Sequence, residues 1–164
     1  MNSMIYYDDL STDMGTIYVA LQERGVCKVA LREDDWQTYL QRHSSIHDRQ
    51  RCAGVRQELQ EYFRGERRQF TVPLVIEGTY FYRQVWQALL QIPYGQVRTY
   101  EDIAREIGRP RAYRAVGQAN YHNPLPILIP CHRVIGKNGK LTGYMGSYTG
   151  MKAQLLQLEG AMLS

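Results

Sequence analysis

The sequence predicts an α+β protein of two domains, residues 1–76 and 77–164. Three observations carry this. Residues 16–21 alternate apolar and polar positions, and a second apolar run follows Gly25, which is the signature of a β-hairpin. From Phe81 onward apolar residues recur instead at helical spacing. Between the two patterns Glu77-Gly78-Thr79 reads as a linker.

In the first domain, residues 4–7 read as a short strand. Ile17, Val19 and Leu21 share one face of the next strand, and residues 26–31 form its partner, with Gly25 closing the loop. Asp34 or Asp35 is placed to cap a helix carrying Trp36, Tyr39 and Leu40. A second helix is expected over about 49–64, because Val55, Leu59, Tyr62 and Phe63 fall at helical spacing and Gly65 ends it. Residues 70–75 form a further extended stretch, interrupted by Pro73, which suits a sheet edge. No chemical constellation stands in this half, and it reads as a scaffold.

The second domain opens with a helix whose stripe is Phe81, Val85, Trp86, Leu89 and Leu90, read as core, and Ile92-Pro93-Tyr94-Gly95 ends it. Thr99 begins the next helix with Asp102 three positions on, a capping box. Ile103, Ala104 and Ile107 give its apolar face and Gly108 stops it. Pro110 then opens another helix at a first-turn position, with Ala112, Ala115, Val116 and Ala119 on one side. Two short helices joined in this way form a helix-turn-helix. Many such pairs are merely structural, but Arg109, Arg111 and Arg114 at the start and front of the second helix favour nucleic-acid contact.

Charge follows the same division. Residues 1–77 hold 10 Lys and Arg against 12 Asp and Glu, whereas residues 78–164 hold 10 against 4. A basic second half suits a polyanion-binding module, or an ordinary basic surface. No apolar stretch has transmembrane length and no signal-peptide pattern stands at the N-terminus, so a soluble, cytoplasmic protein is expected, beside the nucleoid if the source is prokaryotic. Three cysteines without a disulfide framework suit a reducing compartment. Cys27, Cys52, His43 and His47 lack tight metal-ligand spacing, and no metal is predicted.

The chain is organised around Ile127-Leu128-Ile129-Pro130-Cys131-His132-Arg133-Val134-Ile135, an apolar run with a thiol and an imidazole at its centre. Neighbours on a strand point to opposite faces, so for Cys131 and His132 to serve one site the chain must turn at Pro130-Cys131. One reading is a nucleophilic cysteine with its activating histidine. The other is a buried structural cysteine beside a surface histidine.

Pro130-Cys131-His132-Arg133-Val134 resembles the active-site signature of the O6-alkylguanine-DNA alkyltransferases, the methylated-DNA–protein-cysteine methyltransferases. The resemblance extends to Gly95-Gln96-Val97-Arg98-Thr99-Tyr100, residues 114–120, Asn123-Pro124-Leu125-Pro126-Ile127 and Leu141-Thr142-Gly143-Tyr144, in the family's order and spacing from about Tyr80 to Gly160, over half of the chain. It implies an N-terminal domain of ribonuclease-H-like layout and a C-terminal, mostly helical domain of winged helix-turn-helix type. It implies a single-turnover DNA repair protein that flips O6-alkylguanine, with O4-alkylthymine as a second substrate, out of double-stranded DNA and transfers the alkyl group to Cys131. His132 would take the thiol proton through a water and Glu159 would orient that histidine. Asn123 would hold the active-site turn. Arg114 would fill the space left by the flipped base, or simply bind phosphate. Tyr100 would crowd the target's phosphate and bond the base, unless it is a half-buried core tyrosine. Arg111, Ala112 and Gly117 would belong to the helix docked in the minor groove. The Val134 carbonyl would accept from guanine, and Tyr144 and Met145 would line the alkyl pocket.

The resemblance implies no cofactor, because the protein is its own alkyl acceptor, and a monomer in solution. The chain departs from the family's pattern at Tyr113 and Tyr121-His122, and residues 143–150 are one residue longer than usual; Met145 is also larger than the residue common there. Two other readings compete. A lesion-flagging relative lacks the reactive cysteine, which this chain has. A sequence-specific regulator would need an operator.

Overall fold

The computed structural model describes residues 4–137 and 149–161. The chain divides into two compact units, Met1–Ile76 and Glu77–Ser164. Among the described residues no helix is long and apolar enough to cross a membrane.

The first unit is a four-stranded sheet with two helices. Strand β1 (Ile5–Thr12) pairs antiparallel with β2 (Gly15–Gln22), which pairs antiparallel with β3 (Gly25–Ala30). A short strand, β4 (Ser45–His47), lies parallel to β1 on its other side, giving the order β3-β2-β1-β4. β1 is longer than the sequence pattern indicates, because a tight turn at residues 13–14 carries its pairing to Thr12–Gly15. The edge expected at Pro73 is present: Val26 N–H donates to the Pro73 carbonyl at 2.9 Å and Val75 N–H to the Val26 carbonyl at 2.8 Å. Gly25 has φ +145°, and a Cβ there would stand 2.5 Å from the Pro73 oxygen, so only glycine permits this approach.

Helix α1 (Glu33–Arg42) buries Trp36 against Ile5, Ala20 and Ala30, stacked between Tyr18 and Tyr39 at 5.3 and 5.6 Å. Burying such a side chain contributes about 1.5–3 kcal/mol. Neither aspartate caps this helix. Its N-cap is Arg32, and Asp34 accepts from the Arg32 guanidinium at 2.9 and 2.7 Å instead; the acidic first turn still complements the helix dipole. Helix α2 (Ala53–Phe63) starts four residues later than expected, because residues 48–52 form a turn in which the Asp48 carboxylate accepts from Arg51 N–H. Glu58 on α2 accepts from the Thr71 and Val72 backbone and the Thr71 hydroxyl, which ties the 70–75 stretch to the helix.

In the second unit, α3 (Tyr80–Leu90) buries Val85, Trp86, Ala88 and Leu89. The strand β5 (Arg98–Thr99) leads into α4 (Tyr100–Glu106) through the expected capping box, with Asp102 N–H donating to the Thr99 hydroxyl at 3.0 Å and Thr99 N–H to the Asp102 carboxylate at 2.9 Å. Helix α5 (Tyr113–Tyr121) begins later than proposed. Ala112 N–H is committed to the Arg109 carbonyl at 2.9 Å, so Pro110 and Arg111 lie in the turn and Ala112 is the N-cap. The buried face of α5 is Val116, Ala119 and Asn120; Ala115 lies on the exposed face with Tyr113, Arg114 and Gln118. Trp86 Nε1 donates to the Ala119 carbonyl at 2.8 Å, which fixes α3 against α5. A two-residue strand, β6 (Val134–Ile135), pairs parallel with β5, and α6 (Thr149–Leu158) closes the described chain.

Candidate active site

The apolar run around Cys131 is not one strand. Only Val134 and Ile135 join a ladder. Upstream, Ile127 takes φ +74°, a left-handed conformation that a β-branched residue resists. Asn123 holds this bend from both sides. Its Oδ1 accepts from Leu125 N–H and its Nδ2 donates to the Ile129 carbonyl, each at 2.9 Å, while Ile129 N–H reaches the Leu125 carbonyl at 2.8 Å. Pro130, at φ −79° and ψ 63°, is the centre of an inverse γ-turn closed by Cys131 N–H on the Ile129 carbonyl at 2.7 Å. A single 3-10 turn, Cys131–Arg133, follows. The turn that the two adjacent side chains require is therefore built from a proline, a strained isoleucine and one asparagine clamp. Asn120 on α5 adds a bond from Nδ2 to the Cys131 carbonyl at 3.4 Å.

Cys131, His132 and Glu159 are all buried, 0%, 0% and 5% exposed. His132 Nε2 is 2.7 Å from Glu159 Oε2. Glu159 follows α6, and its Oε1 also accepts from Gly95 N–H at 3.2 Å. Gly95 has φ +79°, and a Cβ there would press within 3.1 Å of the Glu159 carbonyl. His132 Nδ1 is buried and has no hydrogen-bond partner among the described residues. With Nε2 facing a carboxylate, Nδ1 is left as the acceptor nitrogen.

Burial pushes the Cys131 thiol up to about 11, against the opposing influence of the Asn123 side chain and the Lys152 charge. The resting sulfur is therefore a thiol at neutral pH and needs a base to become a nucleophile. Burial also holds His132 below the ordinary imidazole value; Glu159 opposes this, and the Arg133 and Lys152 charges reinforce it. Two members of the cluster escape pattern reading. Arg133 is buried and donates to both Glu159 oxygens, at 2.8 and 2.9 Å. Lys152 on α6 is fully buried with Nζ 5.8 Å from the centre of the Tyr100 ring, and desolvation lowers it to about 8. A lone lysine in a sequence reads as surface. Only its place three positions into the final helix, on the side facing the signature turn, distinguishes it.

The remaining expected residues occupy two places. Val134 is buried in β6, and Tyr100 is half-buried at the start of α4 with its ring edge 4.0 Å from where a Gly117 Cβ would stand. Ala112 and Gly117 are half-buried, while Arg111 in the turn before α5 and Arg114 in its first turn are exposed. Arg114 lies 6.0 Å from the centre of the Tyr113 ring. Tyr144 and Met145 lie outside the described residues.

Comparison with known proteins shows the family. Residues 80–161 match the family model of the 6-O-methylguanine DNA methyltransferase DNA-binding domain, and residues 5–76 that of its ribonuclease-like domain. The chain is 48% identical over 158 residues to the constitutive methylated-DNA–protein-cysteine methyltransferase of Bacillus subtilis, covering 95% of this chain and 96% of that protein. It is 43% identical over 163 residues to the methylated-DNA–protein-cysteine methyltransferase of Methanosarcina barkeri, covering 94% and 97%. The crystal structure of Mycobacterium tuberculosis O6-methylguanine methyltransferase superposes with a TM-score of 0.86 at 40% identity, over 96% of this chain and 93% of that one. A structure of M. tuberculosis OGT in complex with DNA gives 0.84 at 41% identity, over 94% and 92%. The α+β class, the ribonuclease-like first domain and the helical second domain expected from the sequence are all met, and the chain belongs to the methylated-DNA–protein-cysteine methyltransferase family.

Proposed function

We propose that this chain repairs double-stranded DNA by moving the alkyl group of O6-alkylguanine irreversibly to Cys131 Sγ, once per molecule. One observation carries the reading: a buried thiol is the chain neighbour of a buried imidazole whose Nε2 is held by a carboxylate 2.7 Å away. His132 Nδ1 takes the thiol proton, through a water, and Glu159 stabilises the imidazolium that forms. The thiolate attacks the alkyl carbon. The S–C bond forms, the C–O6 bond breaks, and the electron pair stays on guanine, which takes up a proton. The thioether has no route back to thiolate, so each molecule acts once and needs no cofactor.

The target atom is stacked inside the duplex, so the nucleotide must leave the stack to meet Cys131. The helix pair α4–α5 is assigned to the minor groove, with Arg111 and Ala112 at the start of α5 and Gly117 on it. The groove discriminates base pairs poorly, which suits repair in any sequence. Arg114, exposed on α5, fills the vacated space. Tyr100 and the Val134 carbonyl bind the flipped base, and Tyr144 and Met145 line the alkyl pocket. O4-alkylthymine is a second substrate, and the protein works as a monomer in the cytoplasm.

The test is intact mass after incubation with a duplex carrying one O6-methylguanine. The expected result is one added methyl, mapped to Cys131 and absent from Cys131→Ser, which still binds the duplex. Lesion binding without added mass on the unaltered protein would overturn the transfer reading.

A further inference from the structure

We infer that Arg133 is a positioning residue for alkyl transfer: its grip on both oxygens of Glu159 holds that carboxylate as an anion against His132 Nε2, and so keeps His132 neutral with Nδ1 able to accept the Cys131 proton. The inference rests on the alkyl-transfer reading of this site.

The geometry is a fork. Arg133 Nε donates to Glu159 Oε1 at 2.8 Å and Nη2 to Oε2 at 2.9 Å, while Nη1 donates to the Ile92 carbonyl at 2.7 Å. The guanidinium plane is thereby fixed, with the Tyr94 ring centre 5.7 Å from it. Glu159 receives in addition Gly95 N–H and His132 Nε2. A carboxylate so surrounded by donors stays ionised. Facing that anion, His132 must carry its proton on Nε2.

Charge accounting then decides the resting state of the ring. Glu159 and Arg133 together carry no net charge in a dry cluster that also holds the Lys152 ammonium, so a charged His132 would add a second unmatched positive charge. Without Arg133, the His132–Glu159 pair would hold a net negative charge away from water. Such a site takes up one more proton. That proton belongs to the pair, whichever member carries it, and the histidine no longer starts as a vacant base. The other groups facing His132 do not replace Arg133. Lys152, from α6, also disfavours the imidazolium and is unaltered by the change. Cys131 is the thiol being served. The buried face of α3 presents Val85, Trp86, Ala88 and Leu89, none of them titratable. A purely structural Arg–Glu pair would change stability and leave the protonation of His132 as it was.

The test uses the whole chain with 15N-labelled histidine. Its four histidines are separated by assigning His132 through its loss in His132→Gln. NMR reads the His132 tautomer and titration, and intact mass reads the methyl-transfer rate against pH on a duplex with one O6-methylguanine. In the unaltered protein His132 is expected neutral, protonated on Nε2, down to below pH about 6.5, the ordinary imidazole value. Arg133→Gln is expected to raise the midpoint of the pair by about one pH unit or more, roughly tenfold in proton affinity. The acid limb of the transfer rate should rise by the same amount. Arg133→Lys retains the charge and is expected to keep the original midpoint, even if less stable.

The inference is overturned by a folded Arg133→Gln with unaltered titration and pH profile, or by Arg133→Lys shifting as far as Arg133→Gln. It is overturned without any variant if His132 of the unaltered protein is charged at neutral pH or carries its proton on Nδ1. Should no methyl transfer occur, the functional reading fails, while the NMR titration still reports whether Arg133 sets the protonation of His132.

Discussion

Among the described residues, two of the three buried carboxylates, one in each unit, are each held by a histidine and arginine. Asp8 in β1 is 1% exposed and meets His47 Nε2 at 2.8 Å, Arg49 Nε at 3.2 Å and Arg56 Nε at 3.3 Å. Glu159 meets His132 at 2.7 Å and Arg133 at 2.8 and 2.9 Å. The residue types are the same and the outcome differs because of the partners' surroundings. The side chains of His47 and Arg49 are 54% and 65% exposed, so water screens them and supplies protons freely. The side chains of His132 and Arg133 are 0% and 7% exposed. There a proton has few places to go, and a thiol lies next in the chain. The Asp8 cluster ties β1 to the turn that leads into α2. The Glu159 cluster is suited to move a proton.

Four changes test this contrast, beginning with the largest effect. Cys131→Ser should abolish methyl transfer outright, since it removes the acceptor atom, while circular dichroism and duplex binding stay as in the unaltered protein. Glu159→Gln should cost about a hundredfold or more in single-turnover rate, the scale of acid–base assistance. It should also cost about 3–5 kcal/mol in stability, because Arg133 is left as an unpaired buried charge. A variant as fast and as stable as its parent would put Glu159 outside the chemistry.

Asp8→Asn is the matched change on the other side. Chemical denaturation should show a loss of about 1–3 kcal/mol, with the transfer rate unaltered. Burial pushes the Asp8 carboxyl up, but the Asp9 backbone, His47 and Arg49 outweigh it and hold it below the usual range. Its contribution is therefore full above pH about 4 and fades as pH falls through the lowered native value, so the gap between the two proteins should close in acid. A gap that widened in acid would contradict the assignment. The smallest effect is expected at Thr99→Ala, which removes one half of the capping box of α4 and should cost about 1 kcal/mol in thermal or chemical unfolding; Thr99→Ser should restore it.

Much of the fold was readable from short-range pattern. The β2–β3 hairpin, the α3 stripe and the capping box each depend on residues within a few positions of one another. Pattern reading faltered where a local group had two possible partners. Asp34 bonds Arg32 rather than capping α1, and Ala112 N–H closes a turn rather than starting a helix at Pro110. It overlooked β4, three residues that form a strand through parallel pairing with β1. For the site, Cys131 and His132 announce themselves by adjacency after a proline. Glu159 came from the family resemblance, and Arg133, though inside the signature, carried no assigned role.

What chain order and composition determined here was the two-part division of charge and periodicity, the capping box of α4, and the need for a turn at Pro130-Cys131, because all of these are properties of neighbouring residues. The assembled fold decided the rest. Glu159 lies 27 positions from His132, and His47 lies 39 from Asp8. Pairing over such separations depends on which surfaces are buried together, and burial also decides that one histidine–carboxylate–arginine cluster is screened by water while the other must hold its protons in place.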